Sequence, residues 1–446
     1  MALPTLRLCA LLAAGLAAPT LCWSLDLRQA YEAAVTHDAT IRAARAQADA
    51  QRERLPQALA QRRPQLALSA TRNYNDLTTR SADSGGEARR WHNDYYSGNQ
   101  ALTVRQALYR PVLAAQVEQA RAQVEDSEAL RERDEQALVL RVGEAYFDAL
   151  LARDQVALLQ VQKASHLSQL DAARKSFAAG AGARTDIDEV PARLALTLAQ
   201  ELEVAQHVEF TQRRLEVLTG QGAAVLAGLD VQRFVPVPAA LPPLEHWIAR
   251  AESASPELQA LRAQSEAAQL EVRKAEAGHL PTLDAVAQWS RSQSDSVTSI
   301  HSRHAHGSVG LQLNVPLYAG GAVSSQVRQA LATEERAREA LEATRRELGV
   351  RVHQEWRTVT EGVLRVRALE QAVRSAQQAL HSNRKSLQAG TRTTLDVLQA
   401  EQQHTTALRD LAQARYRYLL GQLNLGSLVG DDREGNIAQV NGWLVP

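Results

Sequence analysis

Few side chains in this 446-residue sequence are spaced for chemistry. His301, His304 and His306 have a spacing that can ligate a metal, but their Ser-rich surroundings read as a flexible loop. Glu144, Asp148 and Asp154 lie along one helix and read as solvated or cavity-facing charge. No Gly-x-Ser-x-Gly elbow and no His-Glu-x-x-His pair occurs, so hydrolytic chemistry has no site and no cofactor is expected. Two aspartates draw attention because their surroundings are duplicated. Gly180 precedes Asp186, and Gly390 precedes Asp396, by six residues each. A glycine that closes one helix and an aspartate that opens the next are capping residues.

The elements that carry those aspartates also recur. Arg45-Ala46-Gln47 reappears as Arg262-Ala263-Gln264, and Pro64-Gln65-Leu66 as Pro281-Thr282-Leu283. Arg174-Lys175-Ser176-Phe177 reappears as Arg384-Lys385-Ser386-Leu387. The chain therefore reads as one unit built twice, residues 25–229 and then 230–446, each in the order helix, two strands, very long helix, long helix. Residues from Gly220 to Pro243, with four prolines, read as the linker between them.

Composition supports long helices over compact globules. Aromatics are 4%, Met occurs once, and Ala, Leu, Gln, Glu and Arg dominate. Fifty Lys and Arg balance fifty Asp and Glu, so nothing marks a nucleic-acid partner. Residues 1–24 read as a secretory signal peptide: Arg7, an apolar stretch from Leu8 to Leu21, then Cys22-Trp23-Ser24. A cut after Ser24 removes both cysteines, which excludes disulfides and thiolate chemistry from the mature chain. An uncleaved anchor and a lipoprotein cut before Cys22 are the alternatives.

Four segments alternate apolar and polar with period two: roughly Gln65–Tyr74, Ala101–Tyr109, Thr282–Ser290 and Ser308–Leu317. Their length suits a tilted strand that crosses a bilayer. A small soluble sheet would share the pattern. The long polar flanks, 75–98 and 291–306, favour the membrane and read as loops. Tyr74, Trp91, Tyr95, Tyr96, Tyr109, Trp289 and Tyr318 read as an interfacial aromatic girdle. Four strands cannot close a barrel, and open edges are forbidden in lipid, so spanning strands require an oligomer. Val112–Ala179 and Ala322–Ala389 contain no proline, and each predicts a helix of roughly 100 Å. Val352, Val359, Val366, Val373, Leu380 and Leu387 form a seven-residue repeat, which predicts coiled-coil packing. Its first-copy counterpart is interrupted only at Lys163. Return helices are predicted over about Asp186–Leu218 and Leu395–Leu420.

With repeat, strands and hairpins in view, the chain resembles the TolC family of outer-membrane efflux and secretion channels. The segments that carry the likeness are Leu317-Tyr318-Ala319-Gly320-Gly321, Ala389-Gly390-Thr391-Arg392-Thr393, Asp396-Val397-Leu398, and the run from Ala414 to Leu425. The resemblance implies an α+β membrane protein that works as a homotrimer in the outer membrane. Four strands per chain would complete a 12-stranded barrel, and the helical hairpins would form a tunnel through the periplasm. It implies an exit channel without enzymatic activity. The partners would be a periplasmic adaptor, an inner-membrane ABC exporter or proton-driven pump, and outer-membrane lipid. The match at the C-terminal helix and the short tail lean toward type I protein secretion over efflux of small toxic molecules. The rival reading is a periplasmic coiled-coil structural or adaptor protein without a channel.

The resemblance also assigns a periplasmic gate. The position of Asp396 faces the constriction in the family and forms an acidic ring that attracts cations. The second acidic position falls on Gln399 here, which implies a weaker ring. Polar links between hairpins correspond to Arg392 with Thr185, and to Asp186 with a tyrosine that is Leu387 in this chain. Asp186 can instead pair with Arg392, a strong charge-assisted contact.

Overall fold

A computed structural model describes residues 24–82, 85–180, 184–222, 225–234, 242–296 and 299–445. The expected signal segment up to residue 23, and Pro236 and Pro238 of the linker, lie outside the described residues.

The chain opens with three short helices, α1 (Leu27–His37), α2 (Ala39–Arg52) and α3 (Arg54–Ala60). The hairpin β1 (Gln65–Ala82) and β2 (Ala88–Tyr109) follows, then α4 (Pro111–Ala178) and α5 (Arg184–Thr219). A two-residue strand β3 (Gly228–Leu229) precedes α6 (Leu244–Ala254) and α7 (Pro256–Glu276). The second hairpin is β4 (Thr282–Ser296) and β5 (Ser299–Asn314), followed by α8 (Ala322–Gln388) and α9 (Thr394–Leu428). The chain closes with α10 (Arg433–Asn441) and β6 (Leu444–Val445). Helices α4 and α8 have 68 and 67 residues, so each spans about 100 Å.

The heptad seam is packed as its spacing predicts. Val352, Val359, Val366 and Leu380 are buried on α8. Lys163, the break in the first-copy seam, reaches across its hairpin to Glu201 at 2.8 Å. The main core lies where α4, α5, α8 and α9 meet α1 and α10, around Tyr146, Leu150, Leu215, Leu419 and Leu423. The prolyl linker is more structured than expected. Leu25 bridges to Leu226, β3 pairs with β6, and Phe234 is buried against Tyr418 and Trp443. Two-residue strands have no periodicity for a sequence to display, so composition alone read this segment as connection.

The four long strands form one antiparallel sheet in the order β1-β2-β4-β5. They outrun the expected bounds at their distal ends, where the polar flanks 75–98 and 291–306 are mostly strand, not loop, whereas β5 stops at Asn314, short of the expected Leu317. Alternation is invisible in those flanks because both faces are polar there. Residues directly opposite in an antiparallel ladder share a face, so the register defines two surfaces. Leu66, Val104, Ala287 and Val309 form one cross-strand row, and Leu68, Leu102, Trp289 and Gly307 the next. Ala67, Thr103, Gln288 and Ser308 form a row on the other face. One face is thus an apolar band and the other is polar. Tyr74 and Tyr96 pair across the top of the apolar face, with ring centroids 5.4 Å apart. Tyr95 and Trp91 fall on the opposite parity, across from Asn75 and Thr79, and so leave the expected girdle. The apolar rows run from Leu283 and Leu313 to Leu102 and Trp289, about 20 Å along the strand, close to the height of a lipid-facing band. A bulge between Ala107 and Tyr109 brings Tyr109 opposite Leu283. Among the described residues, no helix is long and apolar enough to cross a membrane.

Candidate functional site

The two helical hairpins end at the same level, far from the sheet. Each long helix stops at a glycine in the left-handed region, Gly180 with φ 76° and Gly390 with φ 74°. That conformation strains any residue with a Cβ. At Gly390 the closing bonds are complete: its N–H donates to Leu387 O at 3.0 Å, and Thr391 N–H donates to Ser386 O at 3.0 Å.

The next helix opens on a reciprocal cap. Thr393 Oγ1 accepts from Asp396 N–H at 3.3 Å, and the Asp396 carboxylate accepts from Thr393 N–H at 2.9 Å and from its hydroxyl at 2.8 Å. Arg392 donates to the same carboxylate at 3.2 Å. The backbone and hydroxyl bonds from Thr393, with Arg392 beside them, hold the Asp396 carboxyl below its ordinary range. The capping expectation for Asp396 therefore holds. Asp186 occupies the equivalent first turn of α5.

Thr185, Asp186 and Arg392 line one crevice of about 760 Å³ between the tips, with Leu387 in its wall. Asp396 is not on that lining and is tied to it through Arg392. Within one chain, Arg392 is therefore bonded to Asp396, not to Thr185.

Above the crevice the two hairpins meet along a polar seam that no sequence motif marks. Gln162 donates to Gln402 at 2.9 Å, and Gln169 to the buried Glu401 at 2.6 Å. Arg384 lies 3.6 Å from the same carboxylate. His166 is buried beside this cluster, its Nδ1 has no hydrogen-bond partner, and burial pushes its pKa down. These residues are far apart in sequence and belong to no motif; only the packing of α9 against both α4 and α8 joins them.

The remaining candidates also shift meaning. Glu144 and Asp148 pair with Arg214 across the first hairpin, at 3.5 and 3.2 Å. Asp154 is not a solvated charge: it accepts the Tyr416 hydroxyl at 2.6 Å, and burial raises its pKa. His304 and His306 lie on β5, opposite Ser292 and Ser290 on the polar face, and His304 contacts Ser302 at 2.6 Å. The side chain of His301 lies outside what is described. The group of metal-ligand type found among the described residues is elsewhere, on the β1–β2 hairpin. There His92 bridges Asp76 and Asp94 at 3.2 Å each. Asp76 and Asp94 face each other in the register, so folding the hairpin about its turn would have found them.

Comparison with known proteins fits this architecture. Residues 30–221 and 247–431 match the family described as outer membrane efflux protein. The chain is 30% identical over 432 residues to the proteases secretion protein PrtF of Dickeya chrysanthemi, covering 94% of this chain and 91% of that one. It is 30% identical over 430 residues to the outer membrane protein TolC of Escherichia coli, covering 94% and 85%. The crystal structure of the outer membrane protein VceC from Vibrio cholerae superposes with a TM-score of 0.76 at 21% identity, covering 91% and 96%.

Proposed function

Because the chain belongs to the outer membrane efflux protein family, we propose that three copies assemble into the exit channel of a tripartite export machine. The chain is an outer-membrane channel by family. The observation that carries it is the sheet. One face holds an apolar band of membrane height, and strands β1 and β5 are open edges. Lipid does not tolerate unpaired strand edges, since each exposed backbone group costs several kcal/mol. The edges must therefore be closed by neighbouring copies, and three chains give a 12-stranded barrel with a water-filled bore. The polar face then lines the bore and the apolar band meets lipid. That assignment leaves the rival adaptor reading without an account of the exposed Val309, Leu311 and Leu313.

The hairpins extend about 100 Å from the barrel into the periplasm, where they offer a surface to an adaptor and an inner-membrane transporter. The relative named for protease secretion favours protein cargo delivered by an ABC exporter. Passage of small toxic molecules from a proton-driven pump is the second reading, favoured by the family description.

The gate in this reading is the tip crevice. Arg392 holds Asp396 in the resting chain, and Thr185 and Asp186 share its crevice. Exchange of Arg392 between Asp396 and Asp186 would couple the two hairpins, and three such crevices would control the aperture. Conductance of the folded protein in a planar lipid bilayer tests this. Wild type should give small, long-lived steps, and Arg392→Ala should give larger ones. Folded protein that gives no steps would sink the barrel. Identical steps in the two proteins would remove Arg392 from the gate.

A further inference from the structure

The outward face of the sheet changes chemistry just above its apolar band. Outboard of the row Leu68, Leu102, Trp289 and Gly307 comes the row Ala70, Gln100, Arg291 and Ala305. The row after that is Arg72, Gly98, Gln293 and Arg303. Parity puts Arg72, Arg291 and Arg303 on the same face as the apolar residues. All three are exposed, and none has an ion-pair partner among the described residues. Arg72 lies over the Tyr96 ring at 5.2 Å, a cation–π contact that holds its charge on this face. Farther out on this face, Asp76 and Asp94 are bridged by His92, so those carboxylates are already partnered.

We propose that this arginine band binds phosphate-bearing lipid headgroups of the outer leaflet. The assignment rests on the barrel reading of the sheet. The first arginine row lies one face-repeat beyond Trp289, about 7 Å along the strand, where acyl chains give way to headgroups. Arginine in the hydrocarbon costs several kcal/mol but little at the interface. Guanidinium matches phosphate through paired N–H···O bonds, which a neutral choline-type surface does not offer on its exposed side. The free ends of the hairpins place the band on the side away from the helices, hence in the outer leaflet. Three copies of the chain would present nine arginines in a belt around the barrel.

Trp289 provides the readout. It lies in the apolar band, whereas Trp91 is on the opposite face of the distal hairpin and Trp247, Trp356 and Trp443 are in the helical region or near the C-terminal end. The chain from Leu25 onward, without the expected signal segment and its Trp23, is reconstituted in phosphatidylcholine vesicles that contain a minor fraction of acyl-brominated phosphatidic acid or of acyl-brominated phosphatidylcholine. The ratio of the two quenching constants measures headgroup preference beside Trp289. A cation near an anionic surface gains about 1 kcal/mol, about fivefold, so wild type should favour phosphatidic acid by about fivefold or more. Substituting all three residues (R72Q, R291Q, R303Q) should bring the ratio to about one, and Arg303→Gln alone should lower it. Arg105→Gln removes the same charge from the opposite face, across from Gln65 and Val286, and should change nothing. A wild-type ratio near one overturns the proposal, as does an equal fall in R105Q. Failure of brominated phosphatidylcholine itself to quench Trp289 would overturn the barrel reading instead. That same signal verifies insertion of each variant.

Discussion

Adjacent residues on β5 should respond oppositely to the same substitution. Val309 is 87% exposed in the single chain and shares its row with Ala287, Val104 and Leu66, all apolar. Ser308, its neighbour, shares a row with Gln288, Thr103 and Ala67 on the polar face. Val309 lies two rows inboard of Arg291, about 13 Å along the strand, which puts it deep in a band about 25 Å tall. An arginine there costs about 2–4 kcal/mol per chain, while one in the aqueous bore costs close to nothing. A difference of about 3 kcal/mol is roughly a 150-fold change in the folding equilibrium. In a barrel with three copies, the penalty recurs three times per assembly. Val309→Arg should therefore unfold at much lower denaturant concentration than wild type when both are folded into lipid vesicles and followed by Trp fluorescence. Ser308→Arg should unfold close to wild type. Equal costs for the two variants, or a larger cost for Ser308→Arg, would refute the assignment of faces.

The hairpin tips allow two further expectations. Thr393→Ala removes the hydroxyl that accepts from Asp396 N–H, at a cost of about 1 kcal/mol to the first turn of α9. Amide exchange of residues 394–397 should accelerate about fivefold, while global unfolding stays unchanged because the core lies elsewhere. For pH, the Thr393 bonds hold the Asp396 carboxyl below the ordinary aspartate value. Its contribution is thus present above that value and lost as pH falls through the lower folded one. The Arg392–Asp396 link should persist from pH 7 to 5, and channel steps should change at this element only below about pH 4. Enlargement of the steps already at pH 5 would mean that another group controls the tip.

Periodicity made the helical half legible and parity made the membrane half partly so. Val352 to Leu387 recur every seven residues, and α8 has almost the bounds this requires. The glycines at 180 and 390 marked the hairpin turns because only a left-handed residue closes those helices. Strands were found where one face is apolar, as at Val309, Leu311 and Leu313. They are not legible beyond Tyr74 and Ser290, where both faces are polar and the ladder alone holds the chain. Of the residues at the hairpin tips, Asp396 is legible as a cap from its spacing to Gly390. Its bond to Arg392 is equally local. The crevice that Thr185, Asp186 and Arg392 share, and the seam of His166, Gln169, Arg384 and Glu401, arise from contacts between distant helices. No single segment encodes them.

The small closure at the waist bears on how the molecule comes into being. Asn441 donates to the Asp26 carboxylate across 415 positions, and β6 pairs with a strand that lies beside Leu25. Tyr146 donates to both Leu25 O and Ala227 O, at 3.0 and 2.8 Å. Such contacts carry a large entropic closure cost and form late, whereas helices and hairpins form from near neighbours in microseconds. The waist is thus the most non-local part of the fold, a clasp that draws on α1, α4, β3 and β6 at once and ties the two repeats to each other.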